Sequence, residues 1–366
     1  MTSFKHITII GVGLIGGSLG LSIKRKFKTV RIAGISSPAT LETALASGVI
    51  DQGFGYDQLA GCLKDADLII LCTPISHILK ILPDVISKAK PGALITDAGS
   101  TKQQIVAMAD AHPRNDVYFL GGHPMAGNEG RGVQWADRLL FENAVYVLTP
   151  SQSIPDNLFK SMVHLIETIG AKALTLPADL HDQVAAAISH LPQMLAVTLM
   201  NLVIRKQESS SIYLRLAAGG FRDMTRIASS PYHVWKDIIQ TNHENIGNTI
   251  DGFIEELQSI KQILTDPALE ERFDQSAQYR LSIPRDTKGF LRPNFDISID
   301  VEDKPGVIAK IANLLAAENI NIKDIEVLKV REGDSGTIRL SLESEEARGQ
   351  AQALFEKHHI ISRYRK

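Results

Sequence analysis

The feature that most constrains the fold is a set of three glycines near the N-terminus, in residues 11–16 (GVGLIG), directly after the apolar run 7–10. A strand, this spacing and then a helical pattern are typical of a dinucleotide-binding βαβ unit. The glycines permit a tight turn, close approach of the backbone to a pyrophosphate, and close packing of helix on strand. The alternative is a glycine-rich turn in an unrelated α/β domain. We predict that the cofactor is bound by Gly11, Gly13, Leu14, Ile15 and Gly16.

Short apolar runs alternate with helical patterns over residues 1–176. This alternation predicts a parallel sheet covered by helices on both faces, as in an α/β Rossmann-like domain. Ser37 and Pro38 predict the cap and the first residue of one of the helices. The predicted strands span residues 6–10, 30–35, 68–72, 93–96, 117–120, 144–148 and 172–176.

Strand signals disappear after residue 176, where long helical periods begin. Residues 181–204 carry few charges, so we expect a helix that is buried on most sides, in a domain core or between subunits. A second long period follows at residues 234–264. These patterns predict an all-helical substrate and dimerisation domain over residues 177–285, a homodimer, and a linker at residues 286–293.

The last part of the chain, residues 294–366, has a pattern of its own. Residues 295–301 alternate as a strand, Pro305 and Gly306 begin a helix that reaches residue 317, and two further strands follow at 325–330 and 337–342. A closing helix is predicted over residues 345–357. The order predicts a small α+β module of the type βαββα.

Composition excludes several classes of function. The 366 residues are 44% hydrophobic and 22% charged, with a formal net charge of −2, which argues against a nucleic-acid partner. The first strand follows without a signal-peptide pattern, and no apolar run reaches the roughly 18 residues that a membrane helix needs. Cys62 and Cys72 have no metal-binding spacing. We therefore expect a cytoplasmic protein without a membrane partner or a bound metal.

Several polar residues follow predicted strands, at the sheet edge where such folds bind ligands. Ser36 stands where NAD-preferring domains usually carry Asp or Glu, and no arginine directly follows it. We favour NAD as the cofactor, with NADP not excluded. Thr73 and Pro74 either line the cofactor site or only end their strand. Ser100 is a candidate hydrogen-bond donor to the substrate, the nicotinamide or a histidine; the alternative is a helix N-cap.

His123 is the candidate catalytic base, in residues 121–127 (GGHPMAG), which follow the predicted strand 117–120. A histidine at the mouth of a dinucleotide-binding domain is suited to acid–base chemistry beside a nicotinamide, because its pKa lies near operating pH. The alternative is a loop histidine flanked by turn residues.

Four motifs follow the N-terminal glycines in a fixed order: residues 97–102 (DAGSTK), 121–129 (GGHPMAGNE), 189–192 (SHLP) and 219–228 (GGFRDMTRIA). Together they resemble the prephenate dehydrogenase family, which carries out the oxidative step of tyrosine biosynthesis. Residues 301–307 (VEDKPGV) and 319–322 (NINI) resemble an ACT domain, a ferredoxin-like regulatory module. The whole arrangement is similar to prephenate dehydrogenases of Gram-positive bacteria that carry a C-terminal ACT domain.

The resemblance implies oxidative decarboxylation of prephenate to 4-hydroxyphenylpyruvate, with hydride transfer to NAD. His123 would accept the proton of the substrate 4-hydroxyl group, and Ser100 would orient His123 or that hydroxyl. Arg226 matches the family arginine that binds a substrate carboxylate, for which guanidinium geometry is suited, and Arg222 is a further basic position. Three more residues are expected at the substrate site, with core packing as the alternative for the last two: Glu129, Trp235 and His190.

The ACT-like module implies feedback control, with L-tyrosine as the effector. The expected effector site is formed by Asp303, Pro305, Gly306 and Asn321. The alternative is a degenerate module that only aids assembly.

Three other functions compete with this prediction. Arogenate dehydrogenase differs only in the substrate side chain, and the sequence does not identify the discriminating contact. A β-hydroxyacid dehydrogenase would need a lysine after residues 219–222, and none is suitably placed there. A non-catalytic dinucleotide-binding regulator would not need His123, Ser100 and Arg226 together.

Overall fold

The computed structural model describes residues 4–127, 130–150, 154–207, 212–282, 295–302, 304–330 and 335–364. The chain forms two compact units, Met1–Asp274 and Gln275–Lys366. The predicted linker at residues 286–293 lies outside the described residues.

The first unit is built on an eight-stranded sheet. Its strands are β1 (His6–Ile10), β2 (Arg31–Ile35), β3 (Gln52–Phe54), β4 (Leu68–Leu71), β5 (Leu94–Asp97), β6 (Tyr118–Pro124), β7 (Val145–Pro150) and β8 (Lys172–Thr175). They lie in the order β3-β2-β1-β4-β5-β6-β7-β8, and the crossover from β3 to β4 places β1 and β4 side by side. In such sheets the ligand crevice opens beyond the carboxyl ends of the strands at this point.

The sheet departs from the prediction in two ways. It is not fully parallel, because β7 runs antiparallel to β6 while it is parallel to β8. The strand β3 was not predicted, since its three residues are too short and too exposed to show an apolar pattern. The other seven strands lie within two residues of their predicted bounds, apart from the end of β6, which continues four residues beyond the predicted end.

Helices cover both faces of the sheet, as predicted. Side chains alternate between the faces along each strand: Ile9 belongs to the core that includes Leu19 of α1 (Leu14–Lys26). Ile10 belongs to the opposite core, with Leu82 of α4 (Ile75–Lys88). The remaining helices of this region are α2 (Pro38–Ala46), α3 (Leu59–Leu63), α5 (Gln103–Asp110) and α6 (Asp156–Thr168), and Ser37 and Pro38 begin α2 as predicted.

Between residues 177 and 282 the described part of the chain contains helices joined by turns and no strand, as predicted. Its helices are α7 (Ala178–Ala185), α8 (Leu191–Gln207), α9 (Ile212–Arg215), α10 (Gly219–Thr225), α11 (Tyr232–Gln262) and α12 (Ala268–Ser282). A π-helical turn, Ala186–His190, joins α7 to α8, and α11 has a kink at Asn242, where φ is −133°. Both irregularities lie beside the site described below.

The apolar stretch Ala178–Lys206 is not buried on most sides within one chain, which argues against the first expected alternative, a domain core, and leaves the second, burial between subunits. Only 17% of its most apolar window is buried, and Ile188 is 63% exposed. By length and composition it is one helix apolar enough to cross a membrane, which alone is weak evidence for a membrane span. A long apolar helix with a free face is also typical of a protein–protein contact.

The second unit contains the end of α12 and, from residue 295, a four-stranded antiparallel sheet with two helices. Its elements are β9 (Phe295–Glu302), α13 (Val307–Ala317), β10 (Ile322–Val330), β11 (Ser335–Leu342), α14 (Glu345–Lys357) and β12 (Ser362–Tyr364). Ile311 and Leu315 of α13 pack with Phe355 of α14 against Ile297 and Leu340 of the sheet. The predicted βαββα order is confirmed, with one addition: the three residues of β12 pair with β9 and were not predicted.

Candidate active site

His123 lies in strand β6 and not in a loop, which corrects the sequence interpretation. The strand continues through Gly121 and Gly122 because neither has a side chain. A Cβ at Gly122 would lie 2.6 Å from the carbonyl oxygen of Asp97, and one at Gly121 would collide with Oγ1 of Thr149. The two glycines therefore let β6 run tightly between β5 and β7, and His123 emerges at the carboxyl edge of the sheet.

Asp97, the last residue of β5, anchors the backbone on which His123 stands. Its buried carboxylate accepts hydrogen bonds from the N–H of Gly99 at 2.8 Å and the N–H of Gly122 at 3.0 Å. It also pairs with the ammonium group of Lys102, which is fully buried. Burial lowers the pKa of Lys102, while Asp97 and Asp182 oppose that shift. A buried ion pair of this kind holds its neighbours in one arrangement.

A chain of short contacts connects His123 with a buried carboxylate on α7. Nδ1 of His123 lies 2.8 Å from Nε2 of His181, and Nδ1 of His181 lies 2.7 Å from Oδ1 of Asp182. The Asp182 carboxylate also accepts the backbone N–H groups of Lys102 at 2.7 Å and Gln103 at 2.9 Å. Asp182 thereby caps the N-terminus of α5 and fixes α7 to the sheet at the same time.

The hydrogen-bond donors in the series His123, His181 and Asp182 can be assigned from the Asp182 carboxylate. Asp182 accepts, so Nδ1 of His181 donates, and in a neutral ring Nε2 of His181 is then an acceptor. The proton between the two rings therefore belongs to Nδ1 of His123. This arrangement leaves Nε2 of His123 as the lone-pair nitrogen available to a substrate.

The surroundings of His123 keep its ring neutral. Burial lowers its pKa well below the usual value, and the charges of His181, Lys102 and His190 act in the same direction. The residue is nevertheless half-buried rather than enclosed, so part of it reaches the surface. A neutral, oriented histidine at the edge of the crevice is suited to take up a proton.

His190 and Trp235, both predicted near the substrate, lie next to each other. His190 is buried in the π-helical turn and its ring meets the Trp235 indole edge-on, with the centroids 5.9 Å apart. The side-chain amide of Asn242 donates to the carbonyl oxygen of Asp182 at 2.8 Å and lies 3.2 Å from Nδ1 of His190. Burial lowers the pKa of His190 to about 4. The kink in α11 thus carries the amide that links His190 to the residues behind His123.

Sequence reasoning missed His181, Asp182 and Asn242. The dipeptide His181-Asp182 begins an apolar helix, where a histidine beside a carboxylate is one available signal. Its partner His123 is 58 residues away, so the contact depends on the packing of α7 against β6. A further link, between the hydroxyls of Thr101 and Thr241 at 2.7 Å, joins α11 to the same region.

The other predicted substrate residues take no part in the hydrogen bonds described above. Ser100 is half-buried three residues beyond Asp97, and it does not cap α5, because that helix begins at Gln103 after the cap residue Lys102. Arg222 and Arg226 lie on exposed positions of α10 and of the 3₁₀ turn Arg226–Ser229. Neither is among the groups that shift the pKa of His123. Glu129 lies outside the described residues.

The glycine loop between β1 and α1 has the features that a dinucleotide needs. Gly11 has φ of +93°, and a Cβ there would lie 2.7 Å from the side chain of Thr73. A Cβ at Gly16 would collide with the carbonyl oxygen of Gly11, whereas nothing lies within 4 Å of one at Gly13. Gly13 also caps α1, so the open space lies at a helix N-terminus, where phosphates bind.

Further residues of the crevice fit the same role. Oγ1 of Thr73 is buried and has no hydrogen-bond partner within the described part of the chain, so a ligand can satisfy it. Pro74 is the cap residue of α4, and Leu14 and Ile15 are half-buried at the start of α1. Ser36 is buried and hydrogen-bonds to Tyr56, whose ring packs edge-on against His77. These residues can hold a dinucleotide along the carboxyl ends of β1, β2 and β4.

The predicted effector residues lie at opposite ends of α13 within the second unit, because Asn321 precedes β10 at the end of the sheet where β9 begins. Gly306 caps α13 with φ of +90°, and Pro305 and Asn321 are exposed on either side of that helix in sequence. Asp303 lies outside the described residues. Among the described residues, no group of three or more His, Cys, Asp or Glu could hold a metal ion.

A neutral histidine beside a dinucleotide crevice defines the class of the protein: an oxidoreductase that uses a nicotinamide cofactor. Residues 19–175 match the prephenate dehydrogenase nucleotide-binding domain, residues 177–276 the dimerization domain of the same family, and residues 295–354 the ACT domain. A prephenate dehydrogenase of Bacillus subtilis (strain 168) is 37% identical over 96% of this chain and 95% of its own length. The chain belongs to the prephenate dehydrogenase family, with an NAD-binding Rossmann-like domain and a C-terminal ACT domain.

Solved structures agree with this assignment. Prephenate dehydrogenase from Aquifex aeolicus, in complex with hydroxyphenyl propionate and NAD+, has a TM-score of 0.69 and 28% identity, covering 76% of this chain and 97% of its own. Synechocystis arogenate dehydrogenase has a TM-score of 0.67 and 29% identity, covering 75% of this chain and 98% of its own. The predicted family and fold class are confirmed, and NAD is the cofactor of the family domain.

Proposed function

We propose that this protein oxidises prephenate to 4-hydroxyphenylpyruvate with loss of CO2, with NAD preferred over NADP. The observation that carries the proposal is the neutral His123, held by His181 through Nδ1, so that Nε2 is the nitrogen that does not contact His181. The Aquifex aeolicus relative was solved with a hydroxyphenyl acid and NAD+, which are chemically close to the product and the cofactor proposed here.

The proposed reaction removes a hydride from the carbon that bears the ring hydroxyl. NAD, when bound, supplies the acceptor for this hydride. Nε2 of His123 accepts the hydroxyl proton as the carbonyl group forms, which relieves the positive charge that develops on the carbon. Ser100, at the same edge of the sheet, would orient the hydroxyl or His123. Loss of the ring carboxylate as CO2 then restores an aromatic ring, and this makes the overall reaction irreversible.

Two carboxylates on the substrate require cations. Arg226 is the proposed partner of one carboxylate through a bidentate guanidinium contact, and Arg222 is a further cation in the same segment. Trp235 and His190 would form an apolar and polar wall of the pocket, because their rings pack together behind the crevice. Glu129 is proposed to order or gate the entrance.

The first test is a comparison of substrates and cofactors. Nicotinamide reduction is followed by its near-ultraviolet absorbance with prephenate or arogenate, each with NAD or NADP. We expect the highest kcat/KM for prephenate with NAD. Faster turnover of arogenate would favour the second candidate, which the similarity to Synechocystis arogenate dehydrogenase supports. No turnover of either substrate, in folded protein that binds NAD, would favour a non-catalytic regulator.

The enzyme is proposed to act as a cytoplasmic homodimer. The exposed apolar face of Ala178–Lys206 lies in the region that matches the family dimerization domain. Burying such a face against a second copy would remove Ile188, Leu202 and Ile204 from water. Sedimentation at micromolar concentration tests this: a monomer at all concentrations would contradict it.

L-Tyrosine is proposed to inhibit the enzyme through the ACT domain. The effector would bind near Asp303, Pro305 and Gly306 at the start of α13, where no side chain caps the helix, and Asn321, beyond the other end of α13, would contribute across a dimer of modules. Asn321→Ala in the full chain should raise the tyrosine concentration needed for half-inhibition and leave uninhibited turnover unchanged. Unchanged sensitivity of a chain ending near residue 285 would disprove the proposal.

A further inference from the structure

We propose that His123 and His181 act as one two-ring base, in which the proton taken from the substrate is carried on the second ring, beside Asp182. This inference rests on the proposed oxidation of prephenate. His181 and Asp182 are positioning residues here, because they act on the substrate only through His123. It assigns a role in the reaction to the pair that sequence reasoning left without one.

The geometry supplies a continuous path for the proton. Nδ1 of His123 is 2.8 Å from Nε2 of His181, and Nδ1 of His181 is 2.7 Å from the Asp182 carboxylate. Both distances are hydrogen-bond lengths. The carboxylate is fully buried and its orientation is fixed by the N–H groups of Lys102 and Gln103. His181 is therefore held at both ring nitrogens, with no freedom to turn away.

Two proton transfers and one hydride transfer make up the step. The substrate O–H bond breaks and its proton bonds to Nε2 of His123. The proton on Nδ1 of His123 moves to Nε2 of His181, which becomes an imidazolium while its Nδ1–H remains bonded to Asp182. The two electrons of the substrate C–H bond leave with the hydride. After product departs, the two protons shift back and one is released from Nε2 of His123 to water.

The charges around the rings favour this location for the proton. Burial and the Lys102 ammonium both disfavour a positive charge on His123. Asp97 lies on the same side but is paired with Lys102. Tyr146 and Cys72 lie beyond Asp97, and burial raises the pKa of both, so they stay neutral. Of the two rings, His181 is the one in direct contact with a carboxylate, that of Asp182.

Two variants separate this role from simple packing. His181→Gln can still offer an acceptor near the position of Nε2 but cannot carry the proton, whereas His181→Leu removes the acceptor as well. The matched control is His243→Gln, an exposed histidine on α11 beside Asn242. Retained NAD binding and thermal unfolding temperature establish that each variant is folded.

The first readout is the pH dependence of kcat/KM for prephenate with NAD. We expect the acid limb in His181→Gln to move to lower pH by about one unit, because the carboxylate-backed site for the proton is lost. The plateau should fall about 10-fold in this variant and about 100-fold or more in His181→Leu, in which the tautomer of His123 is no longer fixed. His243→Gln should match the unaltered enzyme in both respects.

The second readout needs no turnover. Nitrogen-15 NMR of labelled histidines should show His123 protonated at Nδ1 in the unaltered protein and in His181→Gln, and a mixture of tautomers in His181→Leu. A lower plateau without movement of the acid limb would make His181 a structural residue and overturn the proposal. His123 protonated at Nε2 in the unaltered protein would also overturn it. Absence of prephenate turnover in the unaltered enzyme would refute the proposed function instead, and the NMR result would still decide the tautomer.

Discussion

Two segments of the helical region carry the residues that we expect to act on the substrate, and they differ in how deeply those residues are buried. In residues 181–190, His181, Asp182 and His190 are almost fully buried, and each is hydrogen-bonded. In residues 219–228, Arg222 and Arg226 are exposed. The acid–base residues are thus buried and fixed by the fold, whereas the cations expected to bind the substrate lie at the surface of the chain.

The difference has a physical reason. A buried histidine or carboxylate without partners costs several kcal/mol, so such groups are found with their hydrogen bonds made. A guanidinium group at the surface stays in contact with water and carries no such burial cost. We therefore expect changes in the first segment to act on kcat and on folding, and changes in the second to act on KM.

The largest expected effect is that of His123→Asn. Loss of the base should lower kcat by about 10²–10⁴-fold, because general base catalysis is worth that much. NAD affinity, measured by fluorescence quenching, should stay within about twofold. Near-normal turnover would show that His123 is not the base. The buried residues 181–190 would then not serve the acid–base step, contrary to the comparison above.

Arg226→Lys tests the exposed segment. Lysine keeps the charge but loses the bidentate contact, which is worth about 1.5–3 kcal/mol, so kcat/KM should fall about 10–150-fold. The loss should appear mainly as a higher KM, measured by initial rates. Arg222→Lys is the matched control on the same segment and should have a smaller effect. A fall in kcat alone would mean that Arg226 acts on the chemical step.

Two glycines of the loop between β1 and α1 separate an effect on folding from an effect on NAD binding. Gly16→Ala should lower the free energy of unfolding by about 1–3 kcal/mol, because the new methyl group meets the Gly11 carbonyl oxygen. Gly13→Ala should fold normally, since space there is open, and should weaken NAD binding instead. Urea unfolding and NAD titration of both variants separate the two effects. Equal NAD affinities would argue against pyrophosphate binding at Gly13.

The smallest expected effect concerns pH. His190 has a pKa of about 4 in the folded chain and about 6.5 when unfolded, so the unfolded state binds more protons in between. Stability from this group is present above pH 6.5 and is lost as pH falls toward 4. Between pH 7 and pH 5 the loss should be about 2 kcal/mol. His190→Gln should unfold in urea with a correspondingly shallower dependence on pH, and an unchanged slope would contradict the buried neutral state.

Prediction from the sequence succeeded where the signal is local. The Gly11–Gly13–Gly16 spacing indicated the loop before α1, and the apolar runs indicated seven of the eight strands in the first unit. Prediction failed where the pairing of neighbouring strands decides the local structure. The strand β3 forms only because β2 lies beside it, and His123 lies in a strand because β7 pairs with residues 120–124. The domain boundaries and the roles of the site residues are predictions from the sequence.

The sequence by itself determined the dinucleotide-binding fold, the helical region, the ACT-like module and the family, because periodicity, glycine spacing and short motifs act within a few residues of the chain. Tertiary structure alone decided which histidine orients His123. His181 is 58 positions from His123, and Asn242 is 60 positions from Asp182. Hydrogen bonds over such separations exist only once α7 and α11 have packed against the sheet, because the burial of their apolar faces brings these polar groups together.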